Sequence, residues 1–243
     1  MKAAIIIPAR YASSRLPGKP LLNATGKFLI QHCYEQALRC KLADRVIVAT
    51  DDERIADAVR SFGGEAAMTR ADHVSGTDRI AEVAGELDAE IIVNLQGDEP
   101  QFDPAALDRL IGFDAEMATL AVPIRDDATY RNPNIVKVVC ADDGRALYFS
   151  RSPIPMVRDG APDFASGRFF QHLGVYAYRR DTLLSLARTP AHPLELAEKL
   201  EQLRALAHGI AIRVGVVNTG HRGIDTPEDY AEFVKAYAEQ SQH

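Results

Sequence analysis

The sequence predicts an α/β protein with a mostly parallel, doubly wound sheet. Three observations carry that expectation. Short β-rich apolar runs alternate along the chain with amphipathic helical stretches. Helix-capping residues and glycines stand where the helices of such a sheet must begin and end. The 243 residues are 47% hydrophobic and 26% charged, an ordinary globular make-up, and a chain of this length can bury about 70% of its unfolded surface.

Taken in order, Ala3–Ile7 reads as a buried first strand, followed by a long loop to about Pro20. Helical periodicity then runs from Phe28 to Leu42 through Ile30, Cys33, Tyr34, Ala37 and Leu38. Val46–Ala49 reads as a second strand. Thr50-Asp51-Asp52-Glu53 supplies an N-cap and first-turn acids for a helix that stops at Gly63-Gly64. Ile91-Ile92-Val93 forms the heart of a strand between Asp88 and Leu95, and Asp103-Pro104 opens the next helix with proline in its first turn. The middle of the chain differs. Ile135–Cys140 and Ala146–Phe149 flank Asp142-Asp143-Gly144, which predicts a hairpin. Arg151 to Gly167 is a loop without periodicity, and Phe169–Tyr178 is a further strand. A helix over Leu194–Ala207 would place Leu196, Leu200, Leu203 and Ala207 on one stripe. A strand at Ile210–Val217 and a helix from Thr226 complete a single domain over 1–243, with a β-hairpin and loop excursion at about 135–178.

Composition narrows the function. The net charge of −6 argues against a nucleic-acid partner. Residues 1–34 nevertheless hold Lys2, Arg10, Arg15, Lys19 and Lys27 and no acid, which suits a small anion better than a polyanion. No run of eighteen apolar residues exists, so no membrane partner is expected. The apolar start closes at Pro8 and Arg10, too soon for a secretory leader, and a cytoplasmic location follows. Cys33, Cys40 and Cys140 offer neither a disulfide framework nor a zinc motif. Cys33 and Cys40 read as buried, inert residues on one helical stripe.

The chemistry concentrates beyond strand ends, where parallel sheets bind ligands. After the first strand, Arg10, Arg15 and Lys19 can clamp a polyphosphate, guanidinium forks and an ammonium acting together. The alternative is a solvated basic loop. The segment is no Walker loop, since Ser13 and Pro20 stand where Gly and Ser or Thr are needed, and no G-x-G-x-x-G occurs. Gln96-Gly97-Asp98-Glu99-Pro100 follows the strand at 91–95, so Asp98 is either a Mg²⁺ ligand or a turn acid. Gly223-Ile224-Asp225-Thr226-Pro227-Glu228-Asp229 repeats the arrangement at what reads as another strand end. There Thr226 and Asp229 form a capping-box-like pair, so the cap does not require Asp225. Two such carboxylates facing a basic loop favour a metal site over either acid alone.

These segments resemble the 3-deoxy-manno-octulosonate (Kdo) cytidylyltransferase, or CMP-Kdo synthetase, family. The likeness begins with Arg10-Tyr11-Ala12-Ser13-Ser14-Arg15-Leu16-Pro17-Gly18-Lys19-Pro20-Leu21. It continues through Thr69-Arg70-Ala71-Asp72-His73, Ser75-Gly76-Thr77, Asn94–Pro100, Met117–Ile124, Ala146–Ser152, His172–Tyr176, Leu200–Arg204 and Asp225–Asp229. The resemblance implies a nucleotidyltransferase (nucleotide-diphospho-sugar transferase-like) fold and a cytoplasmic, homodimeric, Mg²⁺-dependent enzyme. Its reaction would join CTP and the acid sugar Kdo into CMP-Kdo and pyrophosphate for lipopolysaccharide synthesis. By matched motif, Arg10, Arg15 and Lys19 hold the triphosphate, and Asp98 and Asp225 ligate Mg²⁺. Lys19, Arg15, Asp98 and Asp225 then form the catalytic set. Arg70, Ser75 and Gln96 surround nucleoside and sugar, while Arg151, His172, Tyr176, Glu201 and Gln202 meet the sugar acid. The excursion at 135–178 would serve sugar binding and dimerisation. The match is weaker at Pro153–Arg168 and at Asn218-Thr219-Gly220-His221-Arg222.

Read without the family, the sugar set has plainer roles. Tyr176 packs in an apolar strand, His172 is a hydrogen-bonded structural histidine, and Arg151 is solvated after a strand end. Glu201 and Arg204 form a surface ion pair, and Gln202 points away from the apolar stripe into solvent. The rival functions are a cytidylyltransferase for 8-amino Kdo or sialic acid, a nucleotide-binding regulator without turnover, and a glycosyltransferase of related fold.

Overall fold

The computed structural model describes residues 2–12, 16–220 and 223–240. The chain divides into two compact units, residues 1–111 with 221–243 and residues 112–220.

The first unit is a parallel βα array. It runs β1 (Ala3–Ala9), α1 (Leu29–Ala37), β2 (Arg45–Thr50), α2 (Glu53–Ser61), β3 (Glu65–Met68), α3 (Gly76–Gly85), β4 (Ile91–Asn94) and α4 (Pro104–Ile111). All three ladders are parallel, with Ile5 beside Val46 on β2 and Val93 on β4, and Val48 beside Ala66 on β3. The spatial order is therefore β3-β2-β1-β4. Chain direction across the sheet reverses between β1 and β4, so a crevice opens past their carboxyl ends. Ile5, Ile6, Ile7, Ile92 and Val93 have no measurable exposure, as strands covered on both faces require.

Three elements depart from the pattern. Helix α1 stops at Ala37, short of Leu42, because the Asp108 carboxylate accepts from the Lys41 and Leu42 amides, both at 2.8 Å, and from the Cys40 thiol. Those donors cannot also continue a helix. Cys33 and Cys40 are both buried, but only Cys33 lies in α1, so they share no helical stripe. Strand β3 and helix α3 had no sequence expectation. β3 is four residues, Glu-Ala-Ala-Met, at the sheet edge and only half buried, which leaves little β-branched signal.

The second unit mixes strand directions. It comprises β5 (Met117–Pro123), α5 (Asp127–Arg131), β6 (Lys137–Cys140), β7 (Ala146–Ser150), β8 (Phe170–Arg179), α6 (Arg180–Arg188), α7 (Pro193–Glu198), α8 (Gln202–Ala207) and β9 (Ile212–Val216). β5 is antiparallel to β8 and parallel to β9, and the β6–β7 hairpin pairs with β8 through β6. The expected hairpin turns at Gly144, with φ of +80°. The stretch 151–169 is irregular apart from a short 3₁₀ turn at Phe164–Ser166. Phe164 and Val157 pack there on the cluster of Ile124, Tyr130 and Phe169.

The single helix expected over 194–207 is two helices. Lys199 breaks it with φ of +54°. The Glu198 carbonyl accepts from Arg151 Nε at 2.8 Å and its carboxylate from Ser150 Oγ at 2.6 Å, so the chain there is drawn to β7. The stripe fails with it: Leu200 and Leu203 are buried, whereas Leu196 is 53% exposed. The chain then returns to the first unit as α9 (Pro227–Gln240), whose Phe233 packs with Leu16, Leu29 and Ile224. Among the described residues no helix is long and apolar enough to cross a membrane.

Candidate active site

The crevice past β1 and β4 contains a cavity of about 330 Å³. Pro8, Ala9, Arg10 and Ala12 line it from the end of β1, Lys19 and Pro20 from the 3₁₀ turn, Gln96, Gly97 and Asp98 from the end of β4, and Asp225 from before α9. Gly97 is dictated by the close approach of those strand ends. A Cβ there would stand 3.1 Å from the Pro8 carbonyl oxygen and 3.2 Å from Ile30 Cδ1.

Lys19 is the electrostatic centre. Its Nζ donates to Asp98 Oδ2 at 2.5 Å and to the Ile224 carbonyl at 2.6 Å, and lies 3.4 Å from Asp225 Oδ1. The Lys19 side chain is 14% exposed, against 26% for Asp98 and 42% for Asp225. One ammonium therefore gathers two carboxylates that would otherwise repel. Asp225 does not leave a strand end as the sequence suggests. β9 stops at Val216, and residues 223–225 form an irregular segment before α9. That segment is pinned where the Ile224 amide donates to the Asp98 carbonyl at 2.9 Å. The capping box is present: the Asp229 amide donates to Thr226 Oγ1 at 3.1 Å and the Thr226 amide to Asp229 Oδ2 at 2.9 Å.

Arg10 donates through Nη2 to the His73 carbonyl at 2.7 Å, and Gln96 Nε2 donates to Asn94 Oδ1 at 3.1 Å. Arg15 lies outside the described residues. Arg70 is on the loop after β3, 69% exposed, with Nε 3.3 Å from Asp72. Ser75 caps α3, its Oγ accepting from the Asp78 amide at 3.1 Å. Glu82 ties this loop down by accepting from the Arg70 amide at 3.2 Å and pairing closely with the His73 ring. Glu99, which carried no expected role, sits beside Asp98. Burial, and then the Asp98 charge, push its carboxyl up to about 8.

The second unit holds the other candidates. His172 is buried on β8, its Nε2 3.0 Å from Thr119 Oγ1, and burial pushes its pKa down to about 3. The Thr119 hydroxyl has one proton, directed at the Val175 carbonyl at 2.7 Å and the Leu173 carbonyl at 3.1 Å. His172 Nε2 therefore carries the proton and donates to Thr119, leaving Nδ1 as an acceptor. Thr119 also fills the irregularity where the β5–β8 register shifts. The Tyr176 ring lies 5.3 Å from that of His172. Burial first, then the Tyr178 and Glu201 charges, push its hydroxyl well above the usual tyrosine value.

Arg151 is not simply solvated: it donates to the carbonyls of Glu198 at 2.8 Å and Pro133 at 3.1 Å. Arg204, only 15% exposed, pairs with Glu195 through two bonds of 2.8 and 2.6 Å. Gln202 is buried, not solvent-facing, and its Nε2 lacks a hydrogen-bond partner among the described residues.

Residues 4–212 match the family model described as Cytidylyltransferase. A 3-deoxy-manno-octulosonate cytidylyltransferase of Syntrophotalea carbinolica is 52% identical over 94% of this chain and 96% of its own. One from Geobacter sulfurreducens is 53% identical over 97% and 99%. A solved CMP:2-keto-3-deoxy-manno-octonic acid synthetase complexed with CTP superposes with a TM-score of 0.92, at 46% identity, over 99% of this chain and all of that one. The 4-diphosphocytidyl-2C-methyl-D-erythritol synthase of Anaerococcus prevotii shares the fold at a TM-score of 0.64 and 16% identity, covering 98% of each chain. The expected nucleotidyltransferase-like α/β fold is therefore present, and the chain belongs to the 3-deoxy-manno-octulosonate cytidylyltransferase family.

Proposed function

We propose that this chain couples CTP to Kdo, forming CMP-Kdo and releasing pyrophosphate for lipopolysaccharide synthesis. The observation that carries the reading is the gathering of Lys19, Asp98 and Asp225 in one cavity past β1 and β4, with Arg10 and Gln96 on its wall. A bond forms between the sugar's anomeric oxygen and the α-phosphorus while the bond to the β-phosphate oxygen breaks. The nucleophile's proton leaves to solvent, and charge builds on departing pyrophosphate. Lys19 and Arg10, with Arg15 by sequence, offset that charge.

The donor set fits Mg²⁺. Two hard carboxylates are held close enough to share one ammonium, and Mg²⁺ commonly takes one or two carboxylates and fills its shell with phosphate oxygens and water. No cage of three or more His, Cys, Asp or Glu side chains exists among the described residues, so the remaining ligands would come from substrate. Asp98 and Asp225 would hold the ion, which supplies phosphate charge neutralisation and a lowered hydroxyl pKa. His172, neutral above about pH 3, would serve the sugar as a hydrogen-bonding group and not as a proton carrier. Tyr176, Glu201 and Gln202 would complete that contact. Arg151, already bound to two carbonyls, would reach the sugar carboxylate only with its remaining N–H groups.

A homodimer in the cytoplasm completes the proposal. Leu147 on the hairpin and Met156 on the following loop, 52% and 80% exposed, support a self-association surface. Three unpaired cysteines suit a reducing compartment. Pyrophosphate release from CTP with Kdo, 8-amino Kdo and sialic acid in parallel tests the reaction. Fastest release with Kdo supports it. Preference for another sugar reassigns the acceptor, and CTP binding without release from any sugar indicates a regulator.

A further inference from the structure

An aromatic contact holds the stem of the first loop, and the chemistry above does not use it. Arg10 and Ala12 line the cavity, but Tyr11 between them does not. The Arg54 guanidinium lies over the Tyr11 ring, its carbon 3.5 Å from the centroid. Arg54 is the second residue of α2, and Asp52, the N-cap of that helix, orients it. Its Nε donates to Oδ1 at 2.9 Å and its Nη2 to Oδ2 at 2.6 Å.

Tyr11 also packs against Gly18. A Cβ at Gly18 would stand 3.3 Å from Cε2, Cζ and the hydroxyl of Tyr11, and the backbone there has φ of +68°. The Gly18 amide donates to the Tyr11 carbonyl at 3.1 Å, which closes the loop at its base. Lys19 follows Gly18 directly, and Arg10 precedes Tyr11. The two cavity cations are thus the residues flanking this closure.

We propose that Arg54 is a positioning residue for nucleotide binding. Stacked on Tyr11, it fixes both stems of the 11–18 loop, and with them the places of Arg10 and Lys19, without touching substrate. The inference rests on reading the cavity as the CTP site. Charge is not what Arg54 contributes, because Asp52 neutralises it at bonding distance. Its planar guanidinium on the ring face is, and lysine does not reproduce that shape.

The test combines Gly18 amide hydrogen exchange in the ligand-free chain with calorimetric CTP affinity in Mg²⁺. It compares the parent with Tyr11→Phe, Tyr11→Ala, Arg54→Lys, Arg54→Ala and the double alanine variant. Arg54→Ala and Tyr11→Ala should each speed Gly18 exchange and weaken CTP binding by roughly threefold to tenfold, the scale of one partly exposed cation–π contact. The double variant should be no worse than either single one. Tyr11→Phe should match the parent, Arg54→Lys should recover only part of the loss, and unfolding midpoints should stay near the parent's. Unchanged CTP affinity in the alanine variants overturns the proposal. So does a double loss equal to the product of the single ones, or an effect that added salt erases. A parent that binds no CTP would overturn the cavity reading and the role of Arg54 with it, while the exchange rates would still show whether the stack holds the loop.

Discussion

Lys19 and His172 stand in opposite electrostatic settings. Lys19 lies past the ends of parallel strands, reached by solvent and shared between two carboxylates that are themselves partly exposed. His172 lies within an antiparallel ladder, buried and neutral, with Thr119 taking its only ring proton. A site for a polyphosphate needs charges that can be handed from one partner to another, so it is built where helices and loops leave water within reach. A site for a sugar needs fixed donors and acceptors, and burial fixes them. The first unit should therefore lose chemistry before stability, and the second should lose both together.

The strongest way to break that contrast is at the carboxylates. Asp98→Asn or Asp225→Asn keeps shape and removes charge, so kcat should fall on the order of 10²–10³-fold, the usual size of a lost charge-stabilising group. Pyrophosphate release and thermal unfolding measured together should show the first collapsing while the second barely moves. Near-parental turnover at saturating Mg²⁺ would make the acids turn residues.

In the second unit the order reverses. Thr119→Val removes a fully buried hydroxyl that meets two carbonyls and one imidazole. Leaving those groups unsatisfied should cost about 1–3 kcal/mol of stability, read by urea denaturation, and KM for Kdo should rise with it. A stable variant with an unchanged KM would separate Thr119 from the sugar contact.

His172 sharpens the contrast through pH. Its folded pKa, about 3, lies below the ordinary value of 6.5, so the unfolded chain binds its proton first. The stability contribution is whole above about pH 6.5 and is lost as pH falls toward 3. The steepest loss for this one group is about 1.4 kcal/mol per pH unit. His172→Gln should flatten that part of a stability-against-pH curve. An unchanged slope would place the acid sensitivity elsewhere.

The smallest effect is expected at Lys27. It belongs to the same acid-free stretch as Lys19 but pairs with Glu35 at 2.6 Å, with 37% of its side chain exposed. Such pairs contribute little, so Lys27→Ala should leave kcat near the parent's.

The two regions were not equally legible in the sequence. The parallel array announced itself through buried β-branched runs and through caps such as Asp52 and the Thr226–Asp229 pair. The cavity residues after β1 and β4 could be placed because strand ends and the turns after them are local features, whereas β9 ends at Val216, well before Asp225. What stayed hidden depends on distant partners. Asp108 ending α1, Arg151 capturing the Glu198 carbonyl and the helix break at Lys199 each join segments far apart in sequence. Lys137 is fully buried and shares in this only through the Arg151 carbonyl, its other two acceptors being the nearby carbonyls of Asn132 and Ile135. Thr119 gave no sign because a threonine in an apolar run reads as strand filler. Its role exists only where β5 and β8 slip in register.

The most direct measurement is kcat of Lys19→Ala at saturating CTP, Kdo and Mg²⁺, in low and high salt, beside Lys27→Ala and the parent. If Lys19 acts on the reacting phosphates, its loss lowers kcat by at least ~10-fold, salt does not restore it, and the Lys27 variant stays near the parent. Equal, small effects from the two lysines, appearing only in KM and erased by salt, would reduce the cavity's cations to general attraction and contradict the account.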